Sequence, residues 1–384
     1  MIQSLAFLSF VGLIGWAFAG YFVFLFYSSR RILSPTQRVG TGKKMKFSII
    51  VPVHNEASLI ARKIENLKRL RYPDFEVLLC DKSDDETSAI IEKATQDLPH
   101  FHLIRAKEKG RSFQNNEGLR LAGGDAVVLT DVDAMMPEDA LEIFNDRFQD
   151  PSVGLVGACV EPEHPHVLDR LFWGSQNSMR LMESSSGHSP VVSGACYAFL
   201  RTIVPAVPEG VWAEDIYIPF SANTQGYRVV YDRAIAVREI RSPLYLGAFF
   251  KDKFRKGKDN IKEILRFFPR VGEMRGIWKV IFLTRVLQVV LFPFLAAIGL
   301  VLMFFQSREI LLSSLAFLVF LALWRGGVWR GSDAPMRKMN ILEAALISAV
   351  TGITLLGAWY FFLTQGSGDH YRRVAGVRNE SPGH

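Results

Sequence analysis

"VVLTDVDAMM", residues 127–136, begins as a run of β-forming residues and then sets two carboxylates, Asp131 and Asp133, directly after it. Burying carboxylates at the end of a core strand is costly unless positive charge sits between them. Three similar runs precede it: "FSIIV" (47–51), "FEVLLC" (75–80) and "FHLIRA" (101–106). Helical stretches follow them at 57–70, 86–94 and 113–121, and "AVVLT" ends at Asp131. Pro137 suits the first turn of another helix, "PEDALEIFNDRF". Strands alternating with helices predict an α/β fold, a mostly parallel Rossmann-like sheet covered on both faces.

Ligands of such sheets bind outside the carboxyl ends of the strands. This chain places polar residues there: "VPVHNE" (51–56) after the first strand, "CDKSDD" (80–85) after the second, "TDVDA" (130–134) after the fourth. Three such clusters at one edge describe a site. Carboxylates one residue apart on an extended segment face opposite ways, so one holds a metal while the other meets a sugar hydroxyl. Hard oxygen ligands, with no Cys or His at ligand spacing, suit Mg²⁺ or Mn²⁺ carried with a diphosphate. "KGRSFQNNEG" offers Lys109, Arg111, Gln114 and Asn116 for phosphate or ribose contacts. "VWAEDIYIPF" adds Glu214 and Asp215 within apolar sequence. A raised pKa there suits proton abstraction from a hydroxyl; the plain alternative is an acid pair at a helix N-terminus.

With "VSGACYAFLR" (192–201) and "AED" (213–215), this order of motifs resembles the inverting family 2 glycosyltransferases of GT-A fold. More narrowly it is similar to their membrane-integral branch, which includes cellulose, chitin and hyaluronan synthases and ceramide glucosyltransferase. The likeness covers residues 47–240. It implies that Glu56 and Asp81 contact the base and ribose of a nucleotide-sugar, with Pro52 and Asn55 in the same binding loop. Arg111 and Asn116 would line the nucleotide pocket, and Asp131 would touch the ribose or donor sugar. Asp133 would bind the metal. Asp215 would be the general base with Glu214 beside it, and Ser193 and Gly194 would form the acceptor-side loop. Two positions depart from the pattern. Lys82 stands where many relatives have a second Asp. "FFKDKFRKGKDN" (249–260) replaces a Gln-x-x-Arg-Trp motif, with Lys253 and Arg255 resembling its basic variant and no Trp in place. The missing Trp favours single transfer over processive polymer synthesis, and Lys253 and Arg255 are expected to stabilise the leaving diphosphate. A processive polysaccharide synthase and a non-catalytic nucleotide-sugar-binding membrane protein are the competing readings.

The flanks are greasy. Residues 1–27 carry no charge, and the apolar run exceeds the ~20 residues needed to cross a bilayer. A cleaved signal peptide is the rival reading, but no Lys or Arg precedes the run and apolar residues continue beyond "AFA". Residues 278–305, 310–324 and 341–363 read as further membrane segments, the middle one short enough to be re-entrant. Arg30, Arg31, Lys43, Lys44 and Lys46, with Arg325, Arg330, Arg337 and Lys338, put the catalytic domain on the cytoplasmic face of the cell inner membrane. Arg372 and Arg373 in the tail pull the other way if all four segments cross. The expected organisation is an anchor (1–28), a GT-A domain (29–248), an amphipathic interfacial helix (249–275), membrane helices (276–365) and a polar tail (366–384). The apolar stripe of the interfacial helix is Phe250, Phe254, Ile261, Leu265 and Phe268.

The net charge of +7 gathers beside the membrane at 251–285, which points to lipid headgroups and not to nucleic acid. The expected partners are a nucleotide-sugar donor, a lipid-linked or glycan acceptor, and membrane lipids. The three cysteines fit a reduced cytoplasmic domain. "EPEHPHVLD" (161–169), broken by two prolines, reads as an extended loop in preference to a zinc site.

Overall fold

The computed structural model describes residues 2–32, 44–331 and 341–365. Two helices open the chain, α1 (Ile2–Gly15) and α2 (Tyr21–Ile32), joined by a π-helical turn at Trp16–Gly20. The sheet domain follows with β1 (Phe47–Val53), α3 (Ile60–Lys68), β2 (Phe75–Asp81), α4 (Thr87–Thr95), β3 (Phe101–Arg105), α5 (Arg111–Leu121) and β4 (Ala126–Thr130). It continues through β5 (Ala134–Met135), α6 (Ala140–Phe148), β6 (Val153–Pro162), α7 (Val167–Ser185), β7 (Cys196–Leu200), α8 (Glu214–Thr224) and β8 (Arg228–Glu239). Helices complete the chain: α9 (Leu246–Phe267), α10 (Gly276–Arg285), α11 (Phe292–Met303), α12 (Arg308–Gly331) and α13 (Ile341–Thr364).

The eight strands form one sheet in the order β3-β2-β1-β4-β7-β6-β8-β5. The first four are parallel, as the alternation requires, whereas β7 runs antiparallel to β4 and β6. The fold is therefore an α/β, GT-A-like sheet with a mixed second half. Alternate residues of each strand face opposite layers. Ile49, Val51, Val77, Leu79 and Val128 pack with Ile60, Ile64, Ile91 and Phe144 from α3, α4 and α6. Ile50, Leu78, Val127 and Leu129 pack with Leu119 of α5 and Ile218 of α8. Gly118 lets α5 lie close on β1, since a Cβ there would stand 2.5 Å from Ile50 Cγ2.

The sixth helix starts later than its proline predicts. Pro137 closes a turn by accepting the Ala140 N–H at 3.1 Å, and the Glu138 carbonyl is taken by the Arg71 N–H at 2.7 Å. Those carbonyls are occupied outside the helix, which begins only at Ala140.

A third apolar cluster joins the sheet domain to the flanking helices. It unites Tyr21 and Leu25 of α2, Phe220 of α8, Ile261 and Phe267 of α9, and Trp278 and Phe282 of α10. Tyr21 Oη donates to Glu183 Oε1 at 2.7 Å, and Arg285 pairs with the same carboxylate. Among the described residues, one helical run is long and apolar enough to cross a membrane: Gly276–Met303, whose most apolar 18-residue window has a mean hydropathy of 2.5. Ile2–Gly15 and Ala349–Thr364 are shorter apolar stretches. The segment expected to be short is part of one 24-residue helix, α12. Lys43, Arg337, Lys338, Arg372 and Arg373 lie outside the described residues, and the side chains of Arg30, Arg31, Arg325 and Arg330 are outside those described.

Helix α9 shares its apolar stripe between protein and surroundings. Phe254 stacks edge-on to Phe361 of α13 at 5.5 Å, and Ile261 is buried. Leu265 and Phe268 remain exposed. Gly257 allows a close approach: a Cβ there would be 2.6 Å from Ala358 Cβ.

Candidate active site

The loops after β1 and β2 are tied together. Asn55 adopts a left-handed backbone, φ 52°, which an Asn tolerates better than most residues. Its N–H donates to Ser83 Oγ at 2.8 Å, and its Oδ1 accepts the Asp84 N–H at 2.9 Å. His54 Nδ1 meets the Lys82 carbonyl at 2.6 Å, a loop clasp. Asp81 is buried at the end of β2, where Ser83 Oγ donates to it at 2.5 Å and Ser88 donates to its other oxygen. Pro52 lies in β1, paired with Cys80.

Glu56 faces Arg241. The guanidinium grips the carboxylate with both Nη atoms, one at 2.9 Å. Arg241 also stands 3.8 Å from Asp133 Oδ2. Burial and the neighbouring Asp131 push the Asp133 carboxyl up to about 6, against the pull of Arg241. Beneath this turn lies Lys63, wholly buried, whose ammonium donates to Thr130 Oγ1 at 2.9 Å and the Ala134 carbonyl at 2.5 Å. It holds the Thr130 hydroxyl and the Ala134 carbonyl, one on either side of Asp131 and Asp133.

Arg111, the first residue of α5, joins the fourth-strand loop to the Ser193–Gly194 loop. Its Nη1 pairs with Asp131 at 3.0 Å and its Nη2 donates to the Gly194 carbonyl at 2.8 Å. A Cβ on Gly194 would be 3.3 Å from Arg111 Nη2 and 3.4 Å from Asp215 Oδ2, so a side chain at 194 would crowd both. Asp215 thus meets Arg111 and the Ser193–Gly194 loop at one point. Ser193 braces that loop by accepting the Ala195 N–H at 3.3 Å, and Val192 donates to the Asp215 carbonyl at 3.1 Å. Burial raises the Asp215 carboxyl, while Arg111, Arg180 and Lys256 pull it back. Glu214 has another geometry: it accepts from Ser112 Oγ at 2.9 Å and Asn115 Nδ2 at 3.3 Å, with Arg111 Nε at 3.6 Å. That carboxylate pins the first turn of α5 and so aims Arg111.

Three expected contacts fall elsewhere. Asn116 clasps the backbone of Val207 through both its amide atoms, at 2.8 and 2.7 Å. Lys253 is buried with Asp169 at 3.4 Å and Asp252 at 3.5 Å, its Nζ 4.4 Å from the Phe172 ring centre. Arg255 pairs with Asp252 at 3.0 Å. Of the loop at 161–169, Glu163 pairs with Arg62 at 3.0 Å and His166 caps α7 through Leu168 N–H. Reading the sequence missed Lys63, Arg180 and Arg241. Arg241 carried a usable signal, a lone cation after a long strand; Lys63 sits within an ordinary amphipathic helix and carried none.

Comparison with known proteins agrees with this geometry. Residues 48–206 match the family model of Glycosyl transferase family 2. Over that segment the chain is similar to family 2 glycosyltransferases. It includes the Asp131–Asp133 turn, Arg111 and the Ser193–Gly194 loop, and Asp215 follows just beyond it. A poly-beta-1,6-N-acetyl-D-glucosamine synthase of Staphylococcus aureus is 23% identical over 258 residues, covering 63% of this chain and 62% of that protein. The uncharacterized glycosyltransferase YaiP of Escherichia coli is 27% identical over 215 residues, 51% of this chain and 52% of its own. The chain therefore spans less than two thirds of the length of these curated relatives. Among solved structures, the mannosyltransferase PcManGT from Pyrobaculum calidifontis, in complex with GDP-Man and Mn2+, aligns with a TM-score of 0.66. That alignment is 21% identical and covers 95% of this chain and 99% of the other, a likeness of fold.

Proposed function

We propose that this chain is a membrane-embedded, inverting glycosyltransferase. It moves a sugar from a nucleotide-sugar to a lipid, lipid-linked or glycan acceptor at the cytoplasmic face. The observation that carries the reading is the meeting of Asp131, Arg111, Gly194 and Asp215 at the carboxyl edge of a family 2 domain. Asp215, half-buried and held by cations, removes the acceptor proton as the hydroxyl oxygen attacks the anomeric carbon. The C–O bond to the diphosphate breaks, its electron pair leaves with the nucleoside diphosphate, and no enzyme nucleophile intervenes. Glu214 sets the angle of Arg111, and Arg241 holds Glu56 beside Asp133.

A divalent cation fits this donor set. Asp133 and Asp131 repel each other in a half-buried turn; Arg111 pairs with Asp131 at 3.0 Å, whereas Arg241 at 3.8 Å compensates Asp133 only in part. Among the described residues no group of three His, Cys, Asp or Glu closes a cation shell, so diphosphate oxygens would complete the coordination. Bound there by Asp133, with Asp131 adjacent, Mg²⁺ or Mn²⁺ would neutralise the leaving diphosphate. UDP-sugars are the first donors to test. GDP-sugars come next, since the solved mannosyltransferase of the same fold holds GDP-Man and Mn2+.

Processive synthesis is the second reading, favoured by the name of the Staphylococcus relative. Purified protein supplied with Mn²⁺, labelled nucleotide-sugars and lipid extract decides between them. Release of nucleoside diphosphate with a one-sugar product supports single transfer, and long polymer supports the alternative. Absence of donor turnover throughout rejects both.

A further inference from the structure

Arg180 is a buried cation in no close ion pair among the described residues, its charge bearing on Asp215 only from beyond pairing distance. It sits on α7 with 9% of its surface exposed, and its Nη1 has no hydrogen-bond partner among the described residues. Four other cations of this region are paired with acids, Arg111 with Asp131, Arg241 with Glu56, Lys253 with Asp169 and Arg285 with Glu183, while buried Lys63 is satisfied by the Thr130 hydroxyl and the Ala134 carbonyl. No carboxylate lies within 4.0 Å ion-pairing distance of Arg180 among the described residues. The guanidinium carbon lies 5.6 Å from the Trp173 ring centre and 5.7 Å from that of Tyr231. These rings fix its plane without supplying a counter-charge.

Its place in the fold is the acceptor side. Tyr231 and Val192 both crowd Gly157, whose Cβ would stand 2.8 Å from one and 2.6 Å from the other. Val192 leads into Ser193 and Gly194 and bonds the Asp215 carbonyl. Arg180 therefore stands behind the loop that borders the catalytic base, close enough for its charge to bear on Asp215. A desolvated guanidinium with an open Nη is costly unless an oxyanion completes it, and its flat fork matches phosphate or carboxylate oxygens.

We propose that Arg180 anchors an anionic group of the acceptor, a phosphate or carboxylate lying next to the hydroxyl that Asp215 deprotonates. This rests on the glycosyltransferase reading and narrows its acceptor to oxyanion-bearing molecules. The anion comes from a lipid-linked phosphate or from an acidic sugar.

The test uses the full chain in nanodiscs with whichever nucleotide-sugar it hydrolyses fastest. Two acceptor pairs are compared: a polyisoprenyl diphosphate sugar against the same sugar on diacylglycerol, and a uronate-ended oligosaccharide against its neutral counterpart. At least one anionic member should show a KM lower than its neutral partner by about tenfold or more, and which pair responds identifies the source. Arg180→Gln should raise KM for that acceptor by a similar factor while the Kd for nucleoside diphosphate holds, and Arg180→Lys should recover part of the loss. Equal KM values within both pairs, with donor hydrolysis intact, would overturn the anchor alone. So would a Gln variant that slows all acceptors alike through a shifted pH profile. Failure to turn over any donor would remove the enzymatic reading and the anchor with it. The wild-type comparison stands even if the variants fail to fold.

Discussion

Arg111 joins Asp131 at 3.0 Å, linking the first turn of a helix to the end of the fourth strand. The same side chain continues to the Gly194 carbonyl at 2.8 Å. One guanidinium thus ties Asp131 to the loop beside Asp215, and under the proposed function that link would set the spacing between leaving group and base.

Asp215→Asn keeps the shape of the side chain and removes its basicity. Transfer should fall by about a thousandfold, while nucleoside diphosphate binding stays within about threefold of wild type. Calorimetry beside a transfer assay reads both. Retained turnover would remove Asp215 from the base role.

Metal affinity should depend on pH through Asp133. Its carboxyl is pushed up to about 6, so protons compete with the cation below that value. Mn²⁺ binding followed by electron paramagnetic resonance should weaken by about tenfold between pH 7 and pH 5. Asp133→Asn should bind weakly at both pH values. A flat profile in the wild type would exclude Asp133 as the ligand.

Glu263 gives a stability test. Burial lifts its carboxyl from 4.5 to about 7. Below pH 4.5 the folded and unfolded states are both protonated. Between 4.5 and 7 the unfolded chain ionises first, so stability falls as pH rises through that window. Glu263→Gln should therefore unfold later than wild type at pH 8, by about 1–2 kcal/mol, and lose that advantage by pH 4.5. Denaturation at the two pH values checks the sign.

Arg241→Ala leaves Glu56 without its bidentate partner and Asp133 with less compensation. Donor KM should rise by about tenfold or more with the acceptor KM little changed, as initial-rate kinetics would show. An acceptor effect larger than the donor effect would place Arg241 elsewhere.

The parallel half of the fold was legible because short β-forming runs alternate with helical stretches from Phe47 to Asp131, with polar motifs after the first, second and fourth of them. The antiparallel half was less so: "CYAFL" is buried on both faces and carries no sign of strand direction. Asp131, Asp133 and Asp215 could be read because acids in apolar sequence are conspicuous. Lys63, Glu214 as the brace of Arg111, and Arg180 could not. Their meaning depends on which neighbour the fold brings within 4 Å, and local spacing does not encode that.

At Gly257 and Ala358 two helices meet with no side chain between them. Any tilt of α13 must therefore be passed on to α9, whose Lys256 bears on the Asp215 carboxyl. A shortened preparation lacking residues 341–364 would open that seam to water, leaving Phe254 uncovered. Poor behaviour of such a fragment would reflect a missing partner surface and not a defect in the sheet.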